Sequence, residues 1–150
     1  MYKFSLEPVL HYRKLLEENL QKEFSESKRR LVAEEKRLSY LEEIRGRALG
    51  ELQKREQSSC TASDIRLYAD YIEQVSRDIL GQTKKVIEAK KVCDEKREHL
   101  IEAMKGRKTI DKLKERGWKQ FKRDLLLKEQ NAMNEIAISM FNRRTAPPKD

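Results

Sequence analysis

The chain has 150 residues, 40% of them charged and 7% aromatic, with five glycines, three prolines and a formal net charge of +8. One domain is the default at this length, and so much charge excludes an ordinary globular core in favour of long solvated helices or a coiled coil. Disorder is the competing outcome of high charge, and a helical period in the apolar residues excludes it.

The opening, "MYKFSLEPVL", has no apolar core of signal-peptide length. Pro8 suits a first helical turn, where its missing N–H costs nothing. The next proline is Pro147, so a helix is permitted across most of the chain. Helix one is expected over about 8–57. Steps of seven run Leu10, Glu17, Phe24, Leu31, Leu38, Arg45 and Leu52, with Leu20, Leu41 and Ala48 on a companion seam.

The clearest break is "SSCTASD", residues 58–64, where Thr61 and Asp64 have the spacing of a capping box with Asp in place of Glu. A loop is expected over about 58–62 and a second helix over about 62–142, followed by a frayed tail, 143–150, through "TAPPKD". Helix two carries the sharper pattern. From Ile65, steps of seven reach Ile72, Ile79, Val86, Cys93 and Leu100. A companion seam reads Tyr68, Val75, Gln82, Ala89, Lys96, Ala103 and Ile110. The expected core is Phe24, Leu31, Leu38, Leu52, Ile65, Ile72, Ile79, Val86, Cys93 and Leu100.

The expected fold is all-α, a single long two-helix antiparallel coiled-coil hairpin. A parallel homodimer of one long helix ranks second, because it would not need the break. Folding near residue 60 sets Leu52 near Tyr68, Leu38 near Gln82 and Leu10 near Ile110. At ~1.5 Å per residue the paired region is roughly 75 Å long, and helix two overshoots helix one by about thirty residues. The overshoot carries Phe121, Leu125, Ala132, Ile136 and Met140 at helical spacing. That stripe has no partner in the chain beyond Tyr2, Phe4 and Leu6, and an uncovered apolar stripe marks a binding surface.

Nothing points to catalysis. The glycines stand alone, and no phosphate-binding loop occurs. His11 and His99 sit among charged neighbours on the two helices. Two cysteines, Cys60 and Cys93, are too few for a structural zinc site, and no stretch approaches the ~20 apolar residues of a membrane span. A non-enzymatic, soluble, cytoplasmic protein with no cofactor or metal is expected.

The strongest functional signal is the segment from Lys105 to Arg123, which holds nine basic and two acidic residues and so most of the net charge. Its plain reading is a solvated helix face. Trp118 and Phe121 among the cations favour a contact surface instead. Nucleic acid is the obvious partner of such a patch, although no recognised readout motif is present. A coiled-coil tether or scaffold is a further alternative. Tyr40, Tyr68 and Tyr71 form a second candidate contact near the hairpin turn, with Tyr68 on the seam and the other two off it.

Two blocks of sequence then resemble one family. "FSLEPVLHYRKLLEE", Phe4 to Glu18, is similar to the opening of the flagellar export protein FliJ family, of the form F-x-L-E-x-V-L-x-x-R. "RKTIDKLKERGWKQFKRD" and "EQNAMNEIA", residues 107–124 and 129–137, resemble its C-terminal block. Asp111, Asn134 and the pair Gly117–Trp118 depart from the usual pattern. The resemblance implies a coiled coil similar in shape to the central stalk of rotary ATPases, acting in flagellar type III export and so in motility. It implies association with the hexameric export ATPase FliI and the membrane export gate protein FlhA, a link to export chaperones, and a place on the cytoplasmic side of the membrane at the flagellar base. On that reading Arg107, Lys108, Lys112, Lys114, Arg116, Lys119 and Arg123 would seat the helix in the ATPase ring, with Phe121, Leu125 and Ile136 as desolvated contacts. Tyr40, Tyr68 and Tyr71 would meet the export gate or another partner.

Overall fold

The structure, a computed structural model, describes residues 1–145. Two α-helices account for nearly all of them: α1, Glu7–Glu56, and α2, Ala62–Thr145. They pack antiparallel, as the break and the paired seams require, and no strand occurs among the described residues. By internal packing the chain divides into two compact units, one spanning Leu16–Met104 and the other joining Met1–Leu15 to the part of α2 from Lys105 onward.

Helix α1 starts one residue before the expected position. The Leu6 carbonyl accepts the Leu10 N–H at 2.9 Å, and Glu7 in the first turn favours the positive end of the helix dipole. Thr61 caps α2. Its hydroxyl accepts the Asp64 N–H at 3.3 Å and donates to the Asp64 carboxylate at 2.8 Å, so the shorter acid is held by the cap's own side chain. Helix α2 runs on to Thr145, where the expected frayed tail had already begun at 143. Arg143 and Arg144 in its last turn complement the negative, carbonyl end of the helix. The rest of that tail, 146–150, lies outside the described residues.

In the unit Leu16–Met104, Gln82 meets Glu34, one turn from the expected Leu38, and the Lys96 ammonium meets the Glu23 carboxylate at 2.8 Å. The Arg55 guanidinium lies over the Tyr68 ring, 4.8 Å from its centroid. Of the ten expected core residues, Ile79 and Cys93 are buried and the other eight are half-buried. The companion seam is covered more completely, for Val75, Gln82, Ala89 and Ala103 are buried, as is Ala48 on α1. Two helices cover only one side of each other. Small side chains close to the contact line vanish from solvent, whereas most of the longer ones on the first seam, Leu100 and Phe24 among them, reach past it and keep an exposed edge.

Gln82 is the one buried polar side chain among the described residues, 3% exposed. Its amide donates to the Glu34 backbone carbonyl at 3.0 Å and to the Glu34 carboxylate, so burial leaves no donor stranded. A polar side chain on a coiled-coil seam fixes the register, since a shifted pairing would bury it without a partner.

In the other unit, Leu10 is the anchor at 1% exposure. Lys114 reaches the Glu7 carboxylate at 2.6 Å, and the Arg13 side chain crosses over Gly106, with Nη1 3.0 Å from where a Cβ would stand. These contacts bracket the expected meeting of Leu10 and Ile110.

Candidate functional site

The basic part of α2 and the amino-terminal residues of the chain fold together. Stepping by seven, the first seam continues from Leu100 through Arg107 and Lys114 to Phe121, and the second from Ala103 through Ile110 to Gly117. All of these positions from Arg107 on are half-buried. Cations have therefore replaced Ile and Leu on the seam, and their heads find acids. Arg107 Nη1 donates to Asp111 Oδ2 at 2.6 Å, and Lys114 is held by Glu7. On the solvent side Lys119 bonds Glu115 at 2.6 Å. That hydrogen bond, with the ammonium's charge, holds the Glu115 carboxyl below its ordinary range.

The seven basic residues assigned to a partner thus divide by structure. Arg107, Lys114 and Lys119 are engaged within the chain. Lys112 acts on Glu115 through its charge. Lys108, Arg116 and Arg123 are exposed and make no hydrogen bond or ion pair with a described residue.

The chain ahead of α1 supplies what the seam lacks at its end. Tyr2 packs against both Trp118 and Phe121, with ring centroids 5.7 Å and 5.6 Å away, and Trp118 lies 5.9 Å from Phe121. Lys122 completes the cluster, its ammonium 5.5 Å from the Trp118 ring. Gly117 makes room for this arrangement, because a methyl group there would overlap the Tyr2 hydroxyl. Phe4 is half-buried and Leu6 exposed. Of the three residues named as cover for the stripe, Tyr2 is the one seen over Phe121.

Beyond Phe121 the cover ends. Every residue from 122 to 145 is exposed. Leu125 and Ile136 are 45% and 57% exposed, and Leu126, Leu127, Met133, Ile138, Met140 and Phe141 share that condition. Leu125, Ala132 and Ile136 prolong the helix face that carries Trp118 and Phe121, so the stripe is the seam itself continued without a partner.

Near the turn, Tyr40 and Tyr71 are exposed, while Tyr68 is half-buried beneath Arg55. His11 and His99 are exposed on separate units. No group of three or more metal-ligating side chains occurs among the described residues, and no described helix is long and apolar enough to cross a membrane. The surface offers charge and apolar area, which are the means of binding.

The model of the family described as flagellar FliJ protein matches residues 2–146. A solved structure described as a YscO homolog, CT670, from Chlamydia trachomatis shares the fold, with a TM-score of 0.61 and 20% identity over 97% of this chain and 100% of that one. No curated protein sequence matches.

Proposed function

The chain belongs to the flagellar FliJ protein family, a non-catalytic component of flagellar protein export, and on that premise we propose that it docks into the ring of the flagellar export ATPase, FliI, through the exposed part of α2. One observation carries the reading: α2 continues as helix from 122 to 145 with no cover, presenting an apolar face that prolongs the coiled-coil seam. A solvated helix of purely structural purpose would carry polar residues there. Arg123 lies on the exposed helix, and Arg116 and Lys108 precede it along α2, as exposed cations free of described partners, suited to acidic groups around a pore. Charge of this kind mainly sets encounter rate and orientation, and the apolar contacts hold the complex. Lys114 and Arg107 serve the fold first, through Glu7 and Asp111. Tyr40 and Tyr71, exposed on the unit that holds the turn, are the contact for the export gate protein FlhA on the same reading, with the chain at the membrane only peripherally.

The test is ATP hydrolysis by the cognate export ATPase, measured alone, with the full chain, and with a chain ending at Asp124. That shortened chain keeps Tyr2, Trp118, Phe121 and the whole paired region. Stimulation or ring stabilisation by the full chain, lost on shortening, is the expected result. Equal stimulation by both chains would overturn the assignment of the exposed helix.

A further inference from the structure

The aromatic cluster of Tyr2, Trp118 and Phe121 closes the seam at the point where the uncovered stripe begins. Tyr2 stands on a segment outside both helices, with Phe4 half-buried beside it. Residues 1–4 lie outside any helix, and the backbone bond tying them to α1 is Glu7 N–H to the Phe4 carbonyl at 3.2 Å. What retains Tyr2 is ring contact with both aromatics and the notch left by Gly117. Aromatic contacts of this kind are weak enough to be exchanged for others. Trp118 and Phe121 share a helix face with Leu125 and Ile136, so whatever covers the stripe from 125 onward is led directly against them.

We infer that Tyr2 is a displaceable clasp: in the free chain it occupies the Gly117 notch and covers Trp118 and Phe121, and it leaves when the partner docked on α2 supplies an apolar side chain in its place. The inference rests on the docking reading above and adds regulation of that same surface. Its consequence is a docking site larger than the permanently exposed helix. The part opposite Gly117 becomes available only in the fraction of chains whose clasp is open, and apparent affinity is reduced by that fraction.

Gly117→Ala tests the clasp without touching the docking helix beyond it. The added methyl overlaps the Tyr2 hydroxyl and forces the ring to shift out of the notch, while Ala improves the helix, so folding is preserved. Tyr2→Ala removes the ring outright. Trp118 is the single tryptophan of the chain, and its fluorescence reports the contact without ambiguity. Both variants should raise acrylamide quenching of Trp118 in the free protein and tighten binding to the ATPase ring by about tenfold. The double variant should bind no more tightly than Tyr2→Ala alone, since both changes act through one side chain.

Unchanged quenching in both variants would show that Tyr2 does not cover Trp118, and would overturn the clasp whatever the binding. Raised quenching with unchanged or weakened binding would leave the docking reading standing and overturn the clasp, making Tyr2 a support. Loss of binding by every chain, the wild type included, would overturn the docking reading and the clasp with it.

Discussion

Leu10 is the large side chain most fully removed from water, at 1% exposure, and it lies in the unit that joins Met1–Leu15 to the part of α2 from Lys105 onward. Leu10→Ala should cost about 2–4 kcal/mol, measured by urea unfolding, through lost transfer energy and a cavity that two helices close only in part. Leu15→Ala, at an exposed position on the same helix, should stay within about 0.5 kcal/mol. Glu23 offers a second residue-level test. The hydrogen bond and then the charge of Lys96 hold its carboxyl below the ordinary range, against a smaller opposing effect of desolvation. A carboxyl depressed in the folded state favours folding above its unfolded value of about 4.3, and that contribution is lost as pH falls through the lower folded value. Lys96→Met should therefore return the Glu23 titration midpoint, followed by carboxyl carbon NMR, toward the ordinary value. Among the cations of the basic segment, the partners of Arg107 and Lys119 were legible in advance, because Asp111 and Glu115 lie four residues away along one helix. Lys114 with Glu7 was not, since it needs the register between helices. Tyr2 was hardest to foresee, as it precedes the helix and follows no period. Its trace in the sequence is Gly117, a seam position without a side chain.

At the scale of the helices, the two seams and the Ser–Thr break were enough to set number, direction and approximate register. Which seam residues are most hidden was not legible from hydrophobicity. Depth in a two-helix interface depends on reach, so Ala89 and Ala103 are more completely covered than Leu100. The end of the covered region has a dynamic consequence. Up to Phe121, α2 is held by side-chain contacts with the rest of the chain. From 122 on it has its own backbone bonds, with local side-chain links such as Thr145 to the Phe141 carbonyl at 3.0 Å. Helix without tertiary packing opens at low free energy. Hydrogen exchange by mass spectrometry should show slow exchange in peptides from 72–103 and a drop of at least about tenfold in protection for those beyond 125. Adding the ATPase ring should restore that protection. Equal protection on both sides of Phe121 in the free chain would mean that the exposed helix is already covered, for example by a second copy.

For the molecule as a whole, seven of the eight net positive charges fall between Lys105 and Arg123, after Asp111 and Glu115, the acids that hold Arg107 and Lys119, have been counted. The segment stays strongly basic, with Lys108, Arg116 and Arg123 exposed along it. Reversing Lys108, Arg116 and Arg123 to Glu should slow association with the ATPase ring by about tenfold at low salt and much less at 0.5 M salt, in stopped-flow mixing. Duplex DNA should bind weakly and lose its affinity between 50 and 200 mM salt, as nonspecific attraction does. Tight DNA binding that survived physiological salt would instead support the nucleic-acid alternative. The family placement was legible from the two terminal blocks of sequence. The pairing of Lys114 with Glu7 was not, because it joins residues 107 positions apart.

The two thiols differ sharply in access. Cys60 sits half-buried in the turn with its sulfur 3.7 Å from the Asp64 carboxylate, while Cys93 lies on the seam at 3% exposure. An aromatic disulfide reagent should titrate one thiol per chain rapidly in native buffer, and the second only as fast as the seam opens. The slow phase is then a clock for separation of the two helices, built into the wild-type sequence and readable at micromolar concentration without a dye, an isotope or a denaturant. Run with and without the ATPase ring, it would tell whether capture of the far end of α2 also tightens the pair of helices around Cys93.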